Sequence, residues 1–181
     1  MSSNVGNVGT VGNVGQEAFI GLGSNLGEPT QAIDSALQKL RESSVFVETV
    51  SSLYRTEPVE APPRPWFTNA VARVRSAFEP RDLLAICQDI EKSQGRQRGP
   101  FHGPRPIDLD LLAVGDTLLE GDRLTLPHPR LHLRRFVLVP LLEIAPDWIH
   151  PRLGSSAAEL LQACPDESIV IRLDALLEPA P

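Results

Sequence analysis

Two aspartates separated by one residue lie beside three arginines in the segment R-Q-R-G-P-F-H-G-P-R-P-I-D-L-D (96–110). If residues 107–112 form a strand, the Asp108 and Asp110 side chains project from one face, with about 7 Å between their Cα atoms. Two carboxylates at that distance repel by roughly 2 kcal/mol at an effective dielectric constant of about 20, so a cation between them is favoured. Mg²⁺ prefers oxygen ligands and often joins carboxylates to a substrate's phosphates. The pair therefore predicts a magnesium site.

The arginines of this segment, Arg96, Arg98 and Arg105, suit the same chemistry, because guanidinium groups match phosphate oxygens with paired hydrogen bonds. The segment thus indicates half of a metal-nucleotide site. Two plainer interpretations stay open. Ile-Asp-Leu-Asp-Leu is also the pattern of an ordinary half-buried strand with its acids outward. The chain has 15 arginines and only 2 lysines, so composition alone also places arginines here.

The length and charge of the chain limit its class. A chain of 181 residues fits one domain with a substantial core. A net charge of -6 argues against a general nucleic-acid or membrane-surface binder, which needs a broad basic surface. Residues 123–135 nevertheless hold four arginines, two histidines and no acid. Such local clusters favour a small polyanion as the ligand, although a solvated surface is the alternative.

The two cysteines, Cys87 and Cys164, are far apart and have no C-x-x-C spacing, so neither a zinc site nor a disulfide framework is indicated. No apolar run approaches the roughly 18 residues needed to span a bilayer, and the N-terminus lacks signal-peptide features. We expect a soluble, cytoplasmic protein with no membrane or nucleic-acid partner.

Hydrophobic periodicity predicts how the chain is organised. Residues 1–16, with their N-V-G repeats, are expected to be a disordered tail, residues 17–175 a single domain, and residues 176–181 a C-terminal tail. The predicted strands and helices follow in order: strand 18–23, helix 28–42, strands 45–54 and 66–76, helix 80–93, strand 107–112, helices 134–144 and 155–163, and strand 168–173.

The first six of these elements have the order β-α-β-β-α-β. This order predicts an α+β fold, a ferredoxin-like sandwich with both helices on one face of the sheet and extra C-terminal helices beyond it. Gly21, Gly23 and Gly27 lie between the first strand and the first helix, where a dinucleotide fingerprint belongs. Their spacing, G-x-G-x-x-x-G, departs from that fingerprint, and no G-K-[ST] loop is present. A tight turn and a ligand contact both remain open for these glycines.

Seven segments in order carry a more specific signal: G-L-G-S-N-L-G (21–27), S-S-L-Y-R-T-E-P-V (51–59), F-T-N-A-V (67–71), Q-D-I-E-K-S-Q-G-R-Q-R (88–98), G-P-R-P-I-D-L-D-L-L (103–112), L-T-L-P-H-P-R (124–130) and R-F-V-L-V-P-L-L-E-I-A-P (135–146). Together they resemble the 6-hydroxymethyl-7,8-dihydropterin pyrophosphokinases of folate biosynthesis. The resemblance implies a ferredoxin-like enzyme that transfers the pyrophosphoryl group of ATP to the pterin hydroxymethyl group and releases AMP.

The resemblance also implies roles for individual residues and partners. Asp108 and Asp110 match the ligands of two Mg²⁺ ions, and together with Arg96 and Arg98 they form the expected catalytic set. The expected ATP contacts are Gln88, Glu91, Arg98, Arg105, Leu111, Arg123, Thr125, His128 and Arg134. The expected pterin contacts are Gly23, Thr56, Glu57, Pro58, Val59, Phe67, Asn69 and Phe136. The implied partners are the two small substrates, ATP and the pterin, and we expect a monomer.

The chain departs from the family pattern at one position. His102 stands where a tryptophan often precedes G-P-R, and Phe101 is a possible substitute for the stacking ring.

Two other classes of protein stay open at this stage. One is a non-catalytic ferredoxin-like module that binds a nucleotide or RNA, and it is disfavoured by the net charge and by the missing aromatic RNA-binding strand. The other is a dinucleotide-dependent oxidoreductase, disfavoured by the glycine spacing.

Overall fold

The computed structural model describes residues 15–58, 65–95 and 106–173. The predicted tails therefore lie almost entirely outside the described residues. The elements are β1 (Gln16–Ser24), α1 (Pro29–Glu42), β2 (Phe46–Val50), β3 (Tyr54–Thr56), β4 (Phe67–Ser76), α2 (Pro80–Ser93), β5 (Asp108–Val114), α3 (Arg135–Ile144), α4 (Ala157–Ala163) and β6 (Val170–Arg172).

The strands form one antiparallel sheet within the described residues, in the order β5-β1-β4-β3-β6, and β2 pairs with β4 beside β3. Helices α1 and α2 pack on one face of this sheet, where Ile33, Leu40 and Leu83 bury against Ile20 and other alternate residues of the strands. Helix α1 forms because its apolar residues recur at intervals of three and four, and Pro29 occupies its first turn. The predicted ferredoxin-like sandwich is confirmed.

The opposite face of the sheet is covered in part by α3 and α4. Val137, Leu138 and Leu141 of α3 pack against Phe19 of β1 and Val71 of β4 in a second apolar cluster. Helix α3 begins where the Asp166 carboxylate accepts a hydrogen bond from the Arg135 N–H at 2.8 Å. The segment after α4 thus supplies the hydrogen-bond acceptor that the first turn of α3 lacks.

The prediction of one continuous strand over 45–54 was wrong, because this stretch forms β2 and β3 with a break between them. Ser51 explains the break. Its backbone N–H donates to the Val71 carbonyl at 2.9 Å, and its hydroxyl accepts from the Val71 N–H at 3.0 Å. A side chain therefore replaces the backbone acceptor, which ends the regular ladder while keeping the chain on β4.

His150 is buried against Trp148 and His132 beyond the end of α3. Its Nδ1 accepts hydrogen bonds from the N–H groups of Arg152 at 3.2 Å and Leu153 at 3.3 Å, so the ring closes the turn after Trp148. Burial above all, and then the neighbouring His132, lower the pKa of His150. The folded chain therefore holds this imidazole neutral.

We expect the free energy of unfolding to fall as the pH drops below about 6.5, the ordinary pKa of an unfolded histidine. The folded pKa is lowered, so the unfolded chain takes up the proton first and the stabilisation present above that pH is lost. His150→Asn keeps an acceptor for the turn but cannot be protonated, and urea unfolding between pH 5 and 8 should show a shallower pH dependence for this variant. An unchanged slope would contradict the role of His150.

None of the helices in the described residues combines the length and the hydrophobicity that a membrane-spanning helix requires.

Candidate active site

Four adjacent strands place one residue each in a straight row across the α3 side of the sheet. Asp108 on β5 pairs with Gly23 on β1, Gly23 pairs with Asn69 on β4, and Asn69 pairs with Tyr54 on β3. Directly paired residues of antiparallel strands point to the same face. Two inter-strand steps of about 4.8 Å put roughly 10 Å between the Cα atoms of Asp108 and Asn69, with a glycine between them.

The two aspartates share this face, as strand alternation predicted. Leu109 and Leu111 are buried in the core against α1 and α2, so Asp108 and Asp110 point the other way. The side chain of Asp110 is 48% exposed, and its Oδ2 lies 3.6 Å from Nη1 of Arg134, just before α3. This edge of the sheet therefore offers two oxygen ligands beside a guanidinium group.

Gly23 makes room for a neighbouring side chain at the centre of the row. A Cβ at this position would lie only 2.5 Å from Oδ1 of Asn69, whereas a Cβ at Gly21 would meet only Leu112, at 3.5 Å. Asn69 is held in place because its Nδ2 donates to Oγ1 of Thr56 at 2.6 Å, and both residues are buried. Gly23 therefore leaves room for the Asn69 side chain, and its contact with a ligand stays a prediction, while Gly27 adopts the positive φ of a turn residue.

The Asn69–Thr56 pair gives this end of the row both a donor and an acceptor. Phe67 pairs with Thr56 at the end of β4 and is half-buried. Glu57 turns toward the chain before β6, because its N–H donates to the Ile169 carbonyl at 3.0 Å and its Oε2 accepts from the Ile169 N–H at 3.4 Å. Pro58 follows and is half-buried.

Arg134 connects the acidic end of the site to an aromatic ring. Its guanidinium carbon lies 5.4 Å from the centre of the Phe136 ring, while Nη1 faces Asp110. Phe136 occupies the first turn of α3 and packs on the second apolar cluster. The acid pair, the cation and the ring therefore form a continuous surface.

His128 lies beside the same aspartate. Its N–H donates to the Leu112 carbonyl at 2.7 Å, and its Nδ1 accepts from the Arg130 N–H at 3.2 Å. Burial lowers the pKa of His128; the Asp110 carboxylate opposes this shift, and Arg134 and Arg130 reinforce it. The ring is therefore neutral near pH 7, and because Nδ1 is an acceptor, Nε2 carries the hydrogen and can donate.

The remaining described residues that are expected at the nucleotide divide into a group around a cleft and a group inside the fold. Gln88 and Arg123 line opposite walls of a cleft of about 810 Å³ between α2 and the turn after β5, together with Leu84 and Leu124. Thr125 follows in the same turn, where its hydroxyl donates weakly to the Gly121 carbonyl at 3.4 Å. These residues can surround a nucleoside.

Glu91 and Leu111 lie inside the fold instead. Glu91 is 6% exposed, and its Oε1 accepts a hydrogen bond from the Leu109 N–H at 2.7 Å. This bond satisfies a backbone donor of the edge strand β5. The Leu111 side chain is buried in the core. Their nucleotide contacts stay predictions.

Comparisons with known proteins identify the family of the chain. The family model described as 7,8-dihydro-6-hydroxymethylpterin-pyrophosphokinase (HPPK) matches residues 19–146. The chain belongs to this family. It is 43% identical to the Pseudomonas aeruginosa protein named 2-amino-4-hydroxy-6-hydroxymethyldihydropteridine pyrophosphokinase, over 85% of this chain and 95% of the relative. It is 42% identical to the Synechocystis protein of the same name, over 80% of this chain and 74% of the relative.

Among solved structures, wild-type Plasmodium falciparum HPPK-DHPS matches with a TM-score of 0.64 at 16% identity, over 82% of this chain and 41% of that chain. This match supports the fold. As a member of the HPPK family, the chain is an enzyme that transfers the pyrophosphoryl group of ATP to the hydroxymethyl group of the dihydropterin in folate biosynthesis. The resemblance identified from the sequence is confirmed, and the non-catalytic module and the oxidoreductase are set aside.

Part of the predicted HPPK site lies outside the described residues, namely Arg96, Arg98 and Arg105 with the ring candidates Phe101 and His102, and Val59 on the pterin side.

Sequence reasoning missed Tyr54, the fourth member of the row. The signal was present, because Tyr54 stands two residues before Thr56 and strand alternation puts both on one face. Cys87 is not a candidate residue of this site, because burial above all raises the pKa of its thiol to about 12.

The acid pair of this HPPK suits a hard cation. Within the described ranges, no group of three or more His, Cys, Asp or Glu side chains gathers as a metal site. Two carboxylates on an open edge match the way Mg²⁺ binds, because that ion takes one or two carboxylates and completes its shell with water and phosphate oxygens.

Proposed function

We propose that this pyrophosphokinase depends on two Mg²⁺ ions and that Asp108 and Asp110 bind them. We also propose that ATP and the dihydropterin meet along the row of residues on β5, β1, β4 and β3. The observation that carries the proposal is the register Asp108–Gly23–Asn69. It brings two carboxylates and an amide to within about 10 Å on one surface, with a glycine as the paired residue between them.

The pterin end is proposed to recognise the heterocycle by its edge and by its face. Asn69 and Thr56 present paired donors and acceptors that match the amide-like edge of the ring. Phe67 and Phe136 supply aromatic faces on two different elements, β4 and α3. Gly23, Glu57, Pro58 and Val59 are proposed to complete the pocket.

The phosphate end is proposed to combine cations with a helix terminus. Arg134 and the neutral His128, with its Nε2–H, can donate to phosphate oxygens beside Asp110. Helix α3, whose N-terminal end carries the positive end of its dipole, begins at the residue after Arg134, and Asp166 already binds its first N–H. Arg96, Arg98 and Arg105 are proposed to bind the phosphates as well, on sequence grounds. The nucleoside would lie in the cleft between Gln88 and Arg123.

The chain's own residues would accelerate the transfer mainly by positioning. Bound at the two aspartates, Mg²⁺ would neutralise charge on the phosphates and polarise the bond to the leaving AMP. Arg134 and His128 would orient the phosphate groups, while Asn69 and Thr56 would hold the pterin so that its hydroxymethyl oxygen faces the β-phosphorus in line. Transfers of this kind need aligned reactants and charge neutralisation more than a strong base.

The experiment that tests the proposed function incubates the full chain with ATP, Mg²⁺ and 6-hydroxymethyl-7,8-dihydropterin and separates the nucleotides. AMP should appear in step with the pterin diphosphate, and EDTA should stop the reaction. ADP as the product, or turnover that survives EDTA, would contradict the proposal.

A cytoplasmic location and a monomeric state also remain proposals. They are supported by Cys87 and Cys164 both being free thiols and by the row being formed within one chain.

A further inference from the structure

One carboxylate on α3 binds three donor groups from the segment that leads into β3. Oε1 of Glu143 accepts from the Ser52 hydroxyl at 2.8 Å. Oε2 accepts from the Ser52 N–H at 3.0 Å and from the Tyr54 hydroxyl at 2.8 Å. Nη2 of Arg172, on β6, lies 3.8 Å from Oε1. Glu143 therefore joins α3, β3 and β6 at one point.

This point is next to the proposed pterin pocket. Tyr54 is buried and pairs with Asn69, and Thr56, two residues later, accepts the Asn69 hydrogen bond. On the helix, Phe136 precedes Glu143 by seven residues, which is about 10 Å along the axis and nearly two turns. The ring and the carboxylate thus lie on the same side of α3, toward the sheet.

Much of the packing of α3 on the sheet is not directional. Within the described residues, Val137, Leu138 and Leu141 contact Phe19 and Val71 through apolar groups, and such contacts do not fix a position along the sheet. Pro140, between Phe136 and Glu143, has no N–H and so cannot make the intrahelical bond to the Phe136 carbonyl. Charge-assisted hydrogen bonds are directional and about twice as strong as neutral ones.

We propose that Glu143 is a positioning residue of the pterin pocket. It sets the distance between Phe136 on the helix and the Asn69–Thr56 pair on the strands, and so the width of the slot that receives the flat ring. This inference rests on the proposed pterin pocket. The nucleotide cleft between Gln88 and Arg123 is built from α2 and the turn after β5, so it should not respond to Glu143.

Glu143→Ala should raise KM for the pterin about 10-fold or more, because Phe136 is then no longer held at a fixed distance from the Asn69–Thr56 pair. KM for ATP should stay within about twofold. Glu143→Gln keeps one acceptor oxygen and should recover part of the loss, and Tyr54→Phe, which removes one bond, should give a smaller increase of the same kind. Direct binding of the fluorescent pterin, measured with a non-hydrolysable ATP analogue and Mg²⁺, should follow the same order.

The matched control is Glu120→Ala, which also removes a carboxylate paired with an arginine, Arg152 at 2.8 Å, but one that is 74% exposed and away from the row. It should leave both KM values unchanged. A merely structural role for Glu143 would lower the melting temperature and the active fraction, and hence kcat, without changing either KM, and that result would overturn the inference. If Glu143→Ala does not fold, an unchanged pterin KM in Tyr54→Phe overturns it instead. Wild-type protein that binds no pterin would defeat the proposed function itself, which is a different outcome.

Discussion

Asp110→Asn is expected to lower kcat by about 10²–10³-fold, the range seen when one electrostatic contact to a transition state is removed. Asparagine keeps the size of the side chain but removes the charge that would hold a divalent cation beside the triphosphate. Folding should be unaffected, because the repulsion between Asp108 and Asp110 is relieved and the half-exposed pair with Arg134 contributes little stability. Steady-state kinetics at saturating Mg²⁺ and a thermal melt test both expectations.

The control for this variant is Asp116→Asn, which removes an exposed carboxylate in the turn just after β5. Its kcat should match that of the wild type. If Asp110→Asn turns over normally when Mg²⁺ is saturating, the aspartate does not hold the metal. Equal losses in the two variants would mean that net charge, and not this position, controls the rate.

Gly23→Ala is expected to weaken pterin binding strongly while leaving ATP binding intact. The added methyl group would lie 2.5 Å from Oδ1 of Asn69, so the buried amide must move and its bond to Thr56 must lengthen or break. The displaced amide then no longer presents its donor and acceptor to the pterin, and we expect a roughly 5- to 150-fold rise in the dissociation constant for the pterin, equivalent to about 1–3 kcal/mol. Fluorescence titration with the pterin, and calorimetry with an ATP analogue, measure the two affinities separately.

Gly21→Ala is the matched control, because it adds the same methyl group on the same strand and face. There the nearest atom is a Leu112 methyl at 3.5 Å, an ordinary contact. Both variants lose the same backbone freedom, so any difference between them reports on Asn69. Equal pterin affinity in the two variants would contradict the role assigned to Gly23.

Alternation along one strand was enough to predict that Asp108 and Asp110 share a face, because side chains of a strand alternate whatever its neighbours are. The element order was enough to predict the ferredoxin-like sheet. The row itself was not predictable, because the pairing of Gly23 with both Asp108 and Asn69 depends on the register of three strands. The contact of Glu143 with Tyr54 likewise joins residues that are far apart in the chain.

Local chemistry also overrode the sequence pattern in one place. The strand-like stretch over 45–54 favours one strand, but the Ser51 hydroxyl competes for the Val71 N–H and divides it. Glu91 matches a nucleotide contact by motif and its carboxylate is bonded to the Leu109 N–H inside the fold, so its nucleotide contact stays a prediction. A motif gives the identity of a residue and its place in the order, but the packing of α2 against β5 decides which way that side chain points.

The measurement that tests the central claim most directly is anomalous diffraction from crystals grown with Mn²⁺, a non-hydrolysable ATP analogue and the pterin. We expect metal peaks at roughly 2.1 Å, the distance at which Mg²⁺ binds oxygen, from the carboxylates of both Asp108 and Asp110, with the pterin over Gly23 against Asn69. A fully occupied ternary complex whose metal peaks lie away from these two carboxylates would contradict the account.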